Sequence, residues 1–255
     1  MIEVLVIGIG MGPDHLTREA IRALNQVDVF LAADKGGDSD DLVRLREEIC
    51  RTFIPDRDYR FVEVADPPRG PDRERDRDAY LVGVDTWHRR RAERYAAVIR
   101  AEVGGDGTVG FLVWGDPALY DSTIRIVELV ADTGVELRMR VVPGISSLQL
   151  LAARHGIVLN RVGRPVHITT GRRLLEEYSP ELGDVAVMLD GHLACAGLVP
   201  DHPDLTIYWG AQLGLPDETL VRGRLSQVAD EIRAVRARLR SERGWVLDTY
   251  LLRPA

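Results

Sequence analysis

The first twelve residues constrain the fold of this chain more than any other stretch. Positions 2–7 form a continuous apolar run rich in branched residues, which is typical of a strand covered on both faces. Glycines follow at positions 8, 10 and 12, and Asp14 can cap a helix that places apolar residues on one face. A strand, a glycine turn and a helix in this order predict the opening unit of an α/β sheet.

The alternation of strands and helices continues to about Leu159. Apolar runs at 27–32, 109–114 and 135–142 are separated by helical patterns, which predicts a mainly parallel sheet. Beyond residue 160, consecutive strands at 205–208 and 220–225 indicate a hairpin and therefore a mixed sheet. We expect two α/β domains, residues 1–159 and residues 160–255, and Ser226 is expected to cap the helix between the last two strands.

Charge and composition exclude several classes of function. A net charge of −7 argues against a nucleic-acid surface, because phosphate binding needs concentrated positive charge. No apolar run reaches the roughly 18 residues of a membrane span, and no basic region precedes the first apolar run, so we expect a cytoplasmic protein. Cys50 and Cys195 lack a CxxC or histidine partner, so neither a disulfide framework nor a zinc or cobalt requirement is expected.

The glycine loop, residues 8–12, is open to more than one interpretation on local grounds. A dinucleotide fingerprint also has closely spaced glycines between a strand and a helix, and Asp34 could serve as its ribose-binding acid. However, the third glycine comes one residue early, and Pro13 stands where the fingerprint needs glycine. A nicotinamide site and a tight turn without a ligand both remain open at this point.

Three motifs in order narrow this choice. The glycine loop continues into Pro-Asp-His-Leu-Thr at 13–17, and is followed by Gly-Asp-Pro-Ala-Leu-Tyr at 115–120 and Val-Pro-Gly-Ile-Ser-Ser at 142–147. Together they resemble the tetrapyrrole methylase family, whose members carry GxGxG…LT, GDPxxY/F and PGxSS patterns. The resemblance covers essentially the whole chain, and residues 84–92 and 166–174 are similar to the members that also remove an acetyl group. Met11 departs from the family, since many members carry proline there.

The resemblance implies two α/β domains of the tetrapyrrole methylase type, with the active site in the cleft between them. It implies S-adenosyl-L-methionine as cofactor, S-adenosyl-L-homocysteine as its product, a small-molecule tetrapyrrole of cobalamin synthesis as substrate, and a homodimer without nucleic-acid or membrane partners. The implied cofactor contacts are Met11, Trp114, Gly115, Asp116, Leu119, Ser146, Ser147, Leu189, Gly210 and Ala211.

The implied reaction is methylation at ring carbon C-1, followed by hydrolytic loss of a neighbouring acetyl group as acetate. Methyl transfer mainly needs alignment, whereas hydrolysis needs a water, a base and an oxyanion donor. We expect Asp116 to be the base, although an aspartate before proline often only caps a turn. His88 comes next, with a surface helix histidine as the alternative interpretation. Further candidates for this step are Tyr120, Asp190 and His192.

Arginine supplies nearly all the positive charge, because Lys35 is the single lysine. Guanidinium groups suit a substrate with many carboxylates, and we expect Arg172 and Arg173 to bind them, with Tyr120 also at the substrate. Residues 89–91 are expected to form a solvated helix face with at most one arginine pointing inward. The charged run at 69–77 is expected to be a surface loop or lid.

Three alternatives stay open. The first is a related methyltransferase that acts on another ring carbon without deacetylation. The second is a nicotinamide-dependent oxidoreductase, and the third is a non-catalytic small-molecule-binding protein with the same fold. Binding of S-adenosylhomocysteine rather than NAD(H) separates the methylases from the oxidoreductase, and release of acetate separates the methylases from each other.

Overall fold

The computed structural model describes residues 1–34, 40–68 and 77–254, so Lys35 and most of the charged run at 69–77 lie outside the described residues. The chain divides into two compact units, Met1–Ile145 and Ser146–Ala255. The division falls before the boundary expected near Leu159, because the helix Ser147–His155 packs on strands of the second sheet.

The first domain contains a five-stranded sheet in the order β3-β2-β4-β1-β5. Every neighbouring pair in this sheet is parallel, as the alternating pattern predicts. The strands are β1 Ile2–Gly8, β2 Val29–Asp34, β3 Arg60–Ala65, β4 Gly107–Val113 and β5 Leu137–Val142. The helices are α1 Arg18–Leu24, α2 Asp40–Phe53, α3 Arg77–Glu102 and α4 Thr123–Asp132.

The central strands of the first sheet, β1, β2 and β4, are buried on both faces. Alternate side chains of a strand point to opposite faces, so Val4 and Val6 pack with α3 and α4, whereas Leu5 and Ile7 pack with α1 and α2. All four side chains are fully buried, and each contributes about 1.5–3 kcal/mol to folding. This burial explains why these three strands are mainly continuous apolar runs, whereas the edge strands β3 and β5 carry charged residues among the apolar ones.

The second domain contains a five-stranded mixed sheet in the order β6-β7-β10-β8-β9. Strands β6 and β7 are parallel and the other neighbouring pairs are antiparallel, including the predicted β8–β9 hairpin. The strands are β6 Val166–Thr170, β7 Asp184–Met188, β8 Thr206–Ala211, β9 Thr219–Arg224 and β10 Asp248–Arg253. The helices are α5 Ser147–His155, α6 Gly171–Glu177 and α7 Leu225–Arg243.

Both predicted helix caps, Asp14 and Ser226, are wrong. Asp14 lies in a short 3-10 turn, and the hydroxyl of Thr17 accepts the N–H of Ala20 at the start of α1. Helix α7 begins at Leu225, and the hydroxyl of Ser226 donates instead to the carbonyl of Pro203. In both cases several polar residues lie near the helix start, and the fold of the surrounding chain decides which of them caps it.

Within the described ranges, no helix has the length and apolar character needed to span a membrane. Among the described residues, no three or more His, Cys, Asp or Glu side chains are grouped so that they could hold a metal ion. Cys50 and Cys195 are both buried as free thiols, and burial raises the pKa of each to about 12.

Candidate functional site

Three loops, those after β1, β4 and β5, meet at the carboxyl end of β1. The N–H of Gly10 donates to the carbonyl of Gly115 (3.2 Å), and the N–H of Gly115 donates back (2.7 Å). A Cβ atom added to Gly8 would lie 2.6 Å from the backbone nitrogen of Gly144, and one added to Gly144 would lie 2.1 Å from the carbonyl oxygen of Gly115. These glycines are therefore required by the close approach of the loops after β1, β4 and β5, since a side chain would push the loops apart.

Asp116 joins two of the three motifs. Its Oδ1 accepts the N–H of Ala118 (2.8 Å), and its Oδ2 accepts the N–H of Gly144 (2.9 Å). The turn-capping role considered from the sequence is thus present in the structure, and it extends to a bond between the loops after β4 and β5. A catalytic role for the same carboxylate stays a prediction.

The remaining first-domain candidates differ in burial. Met11 is buried, Trp114 and Leu119 are half-buried, and Tyr120 is exposed with a left-handed φ of 51°. The Nε1–H of Trp114 is buried, and so is Nδ1 of His15; neither atom has a hydrogen-bond partner among the described residues. Buried polar atoms normally have partners, so these two atoms fit an edge that holds a polar ligand.

His88 does not lie on the surface. It is 4% exposed on α3, and its ring lies 5.2 Å from the ring of Trp87. The alternative interpretation of a surface helix histidine is therefore wrong. Of the neighbouring arginines, Arg89 and Arg90 are exposed, whereas Arg91 is buried and stacks on the Trp87 ring at 4.2 Å. The expectation that at most one of the three points inward is confirmed.

Ser146 and Ser147 begin α5 in the second domain. Ser146 is the N-cap of this helix and exchanges hydrogen bonds with Gln149 in a capping box. Ser146 is buried and Ser147 is half-buried. The local geometry gives Ser146 a structural role, and its predicted cofactor contact is not tested by this geometry.

The carboxyl ends of β6, β7 and β8 lie at one edge of the second sheet, because β6 is parallel to β7 while β7 and β8 are both antiparallel to β10. Leu189 follows β7 and is 61% exposed, with a left-handed φ of 53°. Gly210 and Ala211 end β8, but the Ala211 side chain is part of the core. A ligand at this edge would therefore meet the Leu189 side chain and, at Ala211, the backbone.

Asp190 holds the loop that follows Leu189. Its Oδ1 accepts the N–H of His192 (3.0 Å), and its Oδ2 accepts the N–H of Ala194 (2.7 Å) and the hydroxyl of Tyr250 (2.5 Å). Asp190 is buried, whereas His192 is exposed. The carboxylate thus fixes the loop by three hydrogen bonds, which is a structural explanation for a residue considered above as a base.

A buried ion pair continues this network. Arg236 donates to the carbonyl of Asp190 (2.8 Å) and forms an ion pair with Asp248, whose carboxylate also accepts the Nε1–H of Trp209 (2.8 Å). Burial raises the pKa of Asp248 to about 6, against the opposing effect of Arg236. Burial also raises the pKa of Tyr250 well above its ordinary value, which keeps its hydroxyl protonated as a donor.

The two predicted substrate arginines lie in the first turn of α6 and have different surroundings. Arg172 is exposed. Arg173 pairs with Glu177 and Glu176, at 2.9 Å in each case. The pKa of Glu177 falls to about 2, first because the hydroxyl of Thr169 donates to it (2.6 Å) and then because Arg173 does. The charge of Arg173 is therefore already balanced by two neighbouring carboxylates.

The comparisons with known proteins identify the family. The model of the Tetrapyrrole (Corrin/Porphyrin) Methylases matches residues 3–229. The chain belongs to this family. The match favours a methylase over the dinucleotide interpretation of the glycine loop, and it agrees with the parallel and mixed sheets described above.

Three relatives illustrate the similarity. The methylase is 46% identical over 255 residues to a "Precorrin-6A synthase [deacetylating]" of Sinorhizobium sp, covering 99% of this chain and 95% of the relative. It is 37% identical to the crystal structure of a cobalamin synthesis related protein (CobF) from Corynebacterium diphtheriae, with a TM-score of 0.81 over 99% and 98% of the two chains. The uroporphyrin-III C-methyl transferase of Thermus thermophilus, solved with S-adenosyl homocysteine, shares the fold at 21% identity, with a TM-score of 0.58 over 98% and 96%.

Sequence reasoning missed two residues of the methylase that the structure brings forward. Gln212, directly after β8, is fully buried with a left-handed φ of 52°, and its Nε2 has no partner within the described ranges. Arg46 lies on α2 beside β4, where its Nε donates to the carbonyl of Leu112 (3.0 Å). Nothing in the local sequence marks Gln212, but Arg46 interrupts the apolar face of its helix, and that signal was available.

Proposed function

We propose that this methylase is an S-adenosylmethionine-dependent C-methyltransferase that methylates precorrin-5 at C-1 and releases the acetyl group as acetate, giving precorrin-6A. The observation that carries the proposal is the 46% identity, over 99% of this chain, to a relative named for this deacetylating reaction. The match of the family model to residues 3–229 supports the methyltransferase class independently of that relative.

The proposed cofactor contacts follow the two sheet edges. In the first domain they are the backbone of the glycine loop and of residues 114–116, with Met11 and Leu119 as apolar neighbours. In the second domain they are Ser146, Ser147, the exposed side chain of Leu189 and the backbone at Gly210 and Ala211. The buried Nε1–H of Trp114 and Nε2 of Gln212 support this placement, because each lacks a partner in the described part of the chain and lies in or beside a proposed contact segment.

The cofactor, when bound, supplies a methyl group on a sulfonium, which is already activated for transfer. The chain must then hold the acceptor carbon in line and exclude water from the transfer step. The hydrogen bonds of Asp116 to Ala118 and Gly144 hold two of the contact loops in a fixed relation. In the second domain, the hydrogen bonds of the Asp190 carboxylate fix the loop that carries Leu189.

The acetyl group leaves by hydrolysis, so a water must lose a proton as it attacks the acetyl carbonyl. We propose Asp116 as the acceptor of this proton, with His88 next, as on sequence grounds. The burial of His88 next to Trp87 supports its candidacy more than a surface position would. For the substrate carboxylates we propose Arg172 and Arg173, with Tyr120 as a further contact.

We also infer a homodimer that works in the cytoplasm without a metal ion, a nucleic acid or a membrane as partner. The family resemblance supports the dimer, and the net charge of −7 supports the absence of a nucleic-acid partner. Light scattering coupled to gel filtration tests the dimer. Retention of activity after treatment with a chelator tests the metal prediction.

Incubation with precorrin-5 and methyl-labelled S-adenosylmethionine tests the central proposal. Mass analysis should find one labelled methyl group in the product, one acetyl group lost, and acetate in equal amount. Methyl transfer without acetate would assign the chain to a relative that does not deacetylate. Binding of S-adenosylhomocysteine without any turnover would leave only a binding protein, and binding of NAD(H) in its place would point to an oxidoreductase.

A further inference from the structure

Strands β2 and β4 separate halfway along their length. They pair only at Val29–Val109 and at Phe30–Gly110. Beyond this point β2 continues to pair with β3 as far as Asp34, and β4 continues to pair with β1 as far as Val113. Residues 31–33 and residues 111–113 therefore do not pair with each other, and a gap opens between the two strands at these positions.

The gap coincides with the point where the connections of the sheet change direction. From β2 the chain passes through α2 to β3, and from β4 it passes through α4 to β5, on the other side of the sheet order. Helix α2 packs on one face and helix α4 on the opposite face. In open α/β sheets, ligands bind at the carboxyl ends of strands at such a switch point.

A cavity of about 140 Å³ lies in this gap. Residues 31–33 and 111–113 line it, together with Arg46 of α2, Arg91 and Tyr95 of α3, and Asp121 and Thr123 near the start of α4. A space of this size has room for a short carboxylate side chain but not for a tetrapyrrole ring system. The cavity is therefore suited to a substituent of a larger ligand.

Arg46 and Arg91 both line this cavity, but they differ in whether a carboxylate balances the charge of the guanidinium. Arg91 is paired with Asp66 through two hydrogen bonds (2.8 and 2.7 Å). Arg46 donates instead to two neutral carbonyl oxygens, those of Leu112 (3.0 Å) and Leu42 (2.9 Å), and forms no ion pair with a carboxylate of the described residues. Burial lowers the pKa of Arg46, and the charge of Asp121 opposes this effect only in part. A half-buried guanidinium without an ion pair is a strong attractor for an anion.

We propose that this cavity is a carboxylate-binding pocket in which the guanidinium of Arg46 receives a side-chain carboxylate of the tetrapyrrole substrate. The identity of the ligand rests on the proposed function, whereas the pocket for a carboxylate rests on the separation of β2 and β4 and on Arg46. Arg46 thus becomes a proposed substrate-binding residue in addition to Arg172. Arg46 belongs to the first domain and lies beside the carboxyl ends of β2 and β4, whereas Arg172 belongs to the second domain.

Asp121 offers a second test, in which removing a negative charge should have the opposite effect on carboxylate binding from removing the positive charge of Arg46. It is exposed, its Oδ1 already accepts the N–H of Thr123 (2.6 Å), and its charge repels an incoming carboxylate. Asp121→Asn keeps the oxygen that caps Thr123 and removes the charge. The variant should therefore bind a carboxylate ligand as well as the parent does, or better.

The experiment measures the dissociation constant of precorrin-5 with S-adenosylhomocysteine present, so that no turnover occurs. Arg46→Gln should weaken binding by roughly ten- to hundredfold, the worth of a hydrogen bond to a charged group. Arg44→Gln is the matched control, because Arg44 is exposed on the same helix, and it should bind like the parent. Equal affinity in Arg46→Gln and the parent overturns the proposal, and so does an Asp121→Asn variant that weakens binding as much as Arg46→Gln.

Two further measurements keep the test decisive. The affinity for S-adenosylhomocysteine and the melting temperature show whether Arg46→Gln is folded. If Arg46→Gln is not folded, Arg46→Lys replaces it. Arg46→Lys should still bind precorrin-5 less tightly than the parent, because lysine lacks the planar guanidinium that binds a carboxylate through two N–H groups. If the parent does not bind precorrin-5, acetate is used as the probe by saturation-transfer NMR. An acetate signal lost in Arg46→Gln and kept in Arg44→Gln supports the pocket although the proposed function fails, and an equal signal in all variants overturns it.

Discussion

Gly171, the first residue of α6, should not tolerate even a methyl group. A Cβ atom added there would lie 2.4 Å from Cγ of Asp190 and 2.5 Å from its Oδ1. Asp190 cannot easily move aside, because its carboxylate accepts from His192, Ala194 and Tyr250. Gly171→Ala should therefore displace a buried carboxylate that is held in place by hydrogen bonds, and not a flexible side chain that could move aside.

The magnitude follows from the bonds at risk. Hydrogen bonds to a charged group are worth about 1.5–3 kcal/mol each, and one or two of the three should be lost or lengthened. The gain in helix propensity from glycine to alanine returns at most about 1 kcal/mol. A net loss of about 2–4 kcal/mol lowers the melting temperature by roughly 5–15 °C in a chain of this length.

The assay combines thermal unfolding with amide hydrogen exchange. The N–H groups of His192 and Ala194 should exchange faster in Gly171→Ala, because they lose their acceptor. Gly191→Ala is the matched control: Gly191 is next to Asp190, but an added Cβ meets nothing within 4 Å. If both variants melt together and keep the same exchange rates at these two amides, the assignment of Asp190 as the residue that holds the loop is refuted.

Four further predictions follow from the site and its surroundings. Gly115→Leu should weaken S-adenosylhomocysteine binding by tenfold or more in calorimetry. Because φ at Gly115 is 72°, a Leu there is also strained, so a second variant is needed: Trp114→Phe, which removes the unpartnered N–H together with part of the indole ring, should also weaken binding. Unchanged affinity in both variants would exclude this loop. Asp116→Asn or His88→Gln should slow acetate release by about 10²–10⁴ while methylation falls by at most about tenfold, so that the methylated, still-acetylated product accumulates; equal losses in both steps would leave these side chains a binding or structural role. Cys50 and Cys195 should resist a thiol reagent at pH 8 until the protein unfolds, since burial raises the pKa of each to about 12; rapid labelling of the native protein would contradict this. The depressed pKa of Glu177, about 2, stabilises the fold above its ordinary value of 4.5, and this stabilisation is lost as the pH falls from 4.5 towards 2; an NMR titration should show the pKa rising in Thr169→Val but not in Thr170→Val.

Much of the fold could be predicted because the central strands of the first sheet are buried on both faces. A continuous apolar run such as 2–7 can only be a core strand or a core helix, and its length and branched residues decide for the strand. The hairpin after residue 205 was also visible, because a turn sequence separates two short apolar runs. These signals are local in the chain, whereas the order of the strands in each sheet depends on long-range packing and was not predicted.

The roles of the site residues could not be predicted in the same way, because their partners are distant in sequence. Asp190 was selected as an acid near a predicted cofactor wall, but Tyr250 and Arg236 define its surroundings and lie tens of residues away. His88 is on a helix whose apolar residues do not form one clean stripe, so its burial was not visible. A sequence can propose which polar residues matter, whereas the fold decides which of them are already occupied.

Arg46 shows what a sequence signal of this kind looks like before its partner is known. On α2 it shares one helix face with Leu42, Ile49 and Phe53, at the three- and four-residue spacing that places side chains over each other. A guanidinium on such a face must either reach solvent or find acceptors inside, and Arg46 finds the carbonyl of Leu112, which β2 does not cover after the strands part. A single charged residue on the apolar face of a helix, next to two strands that separate, therefore indicates where a parallel sheet is open to a ligand.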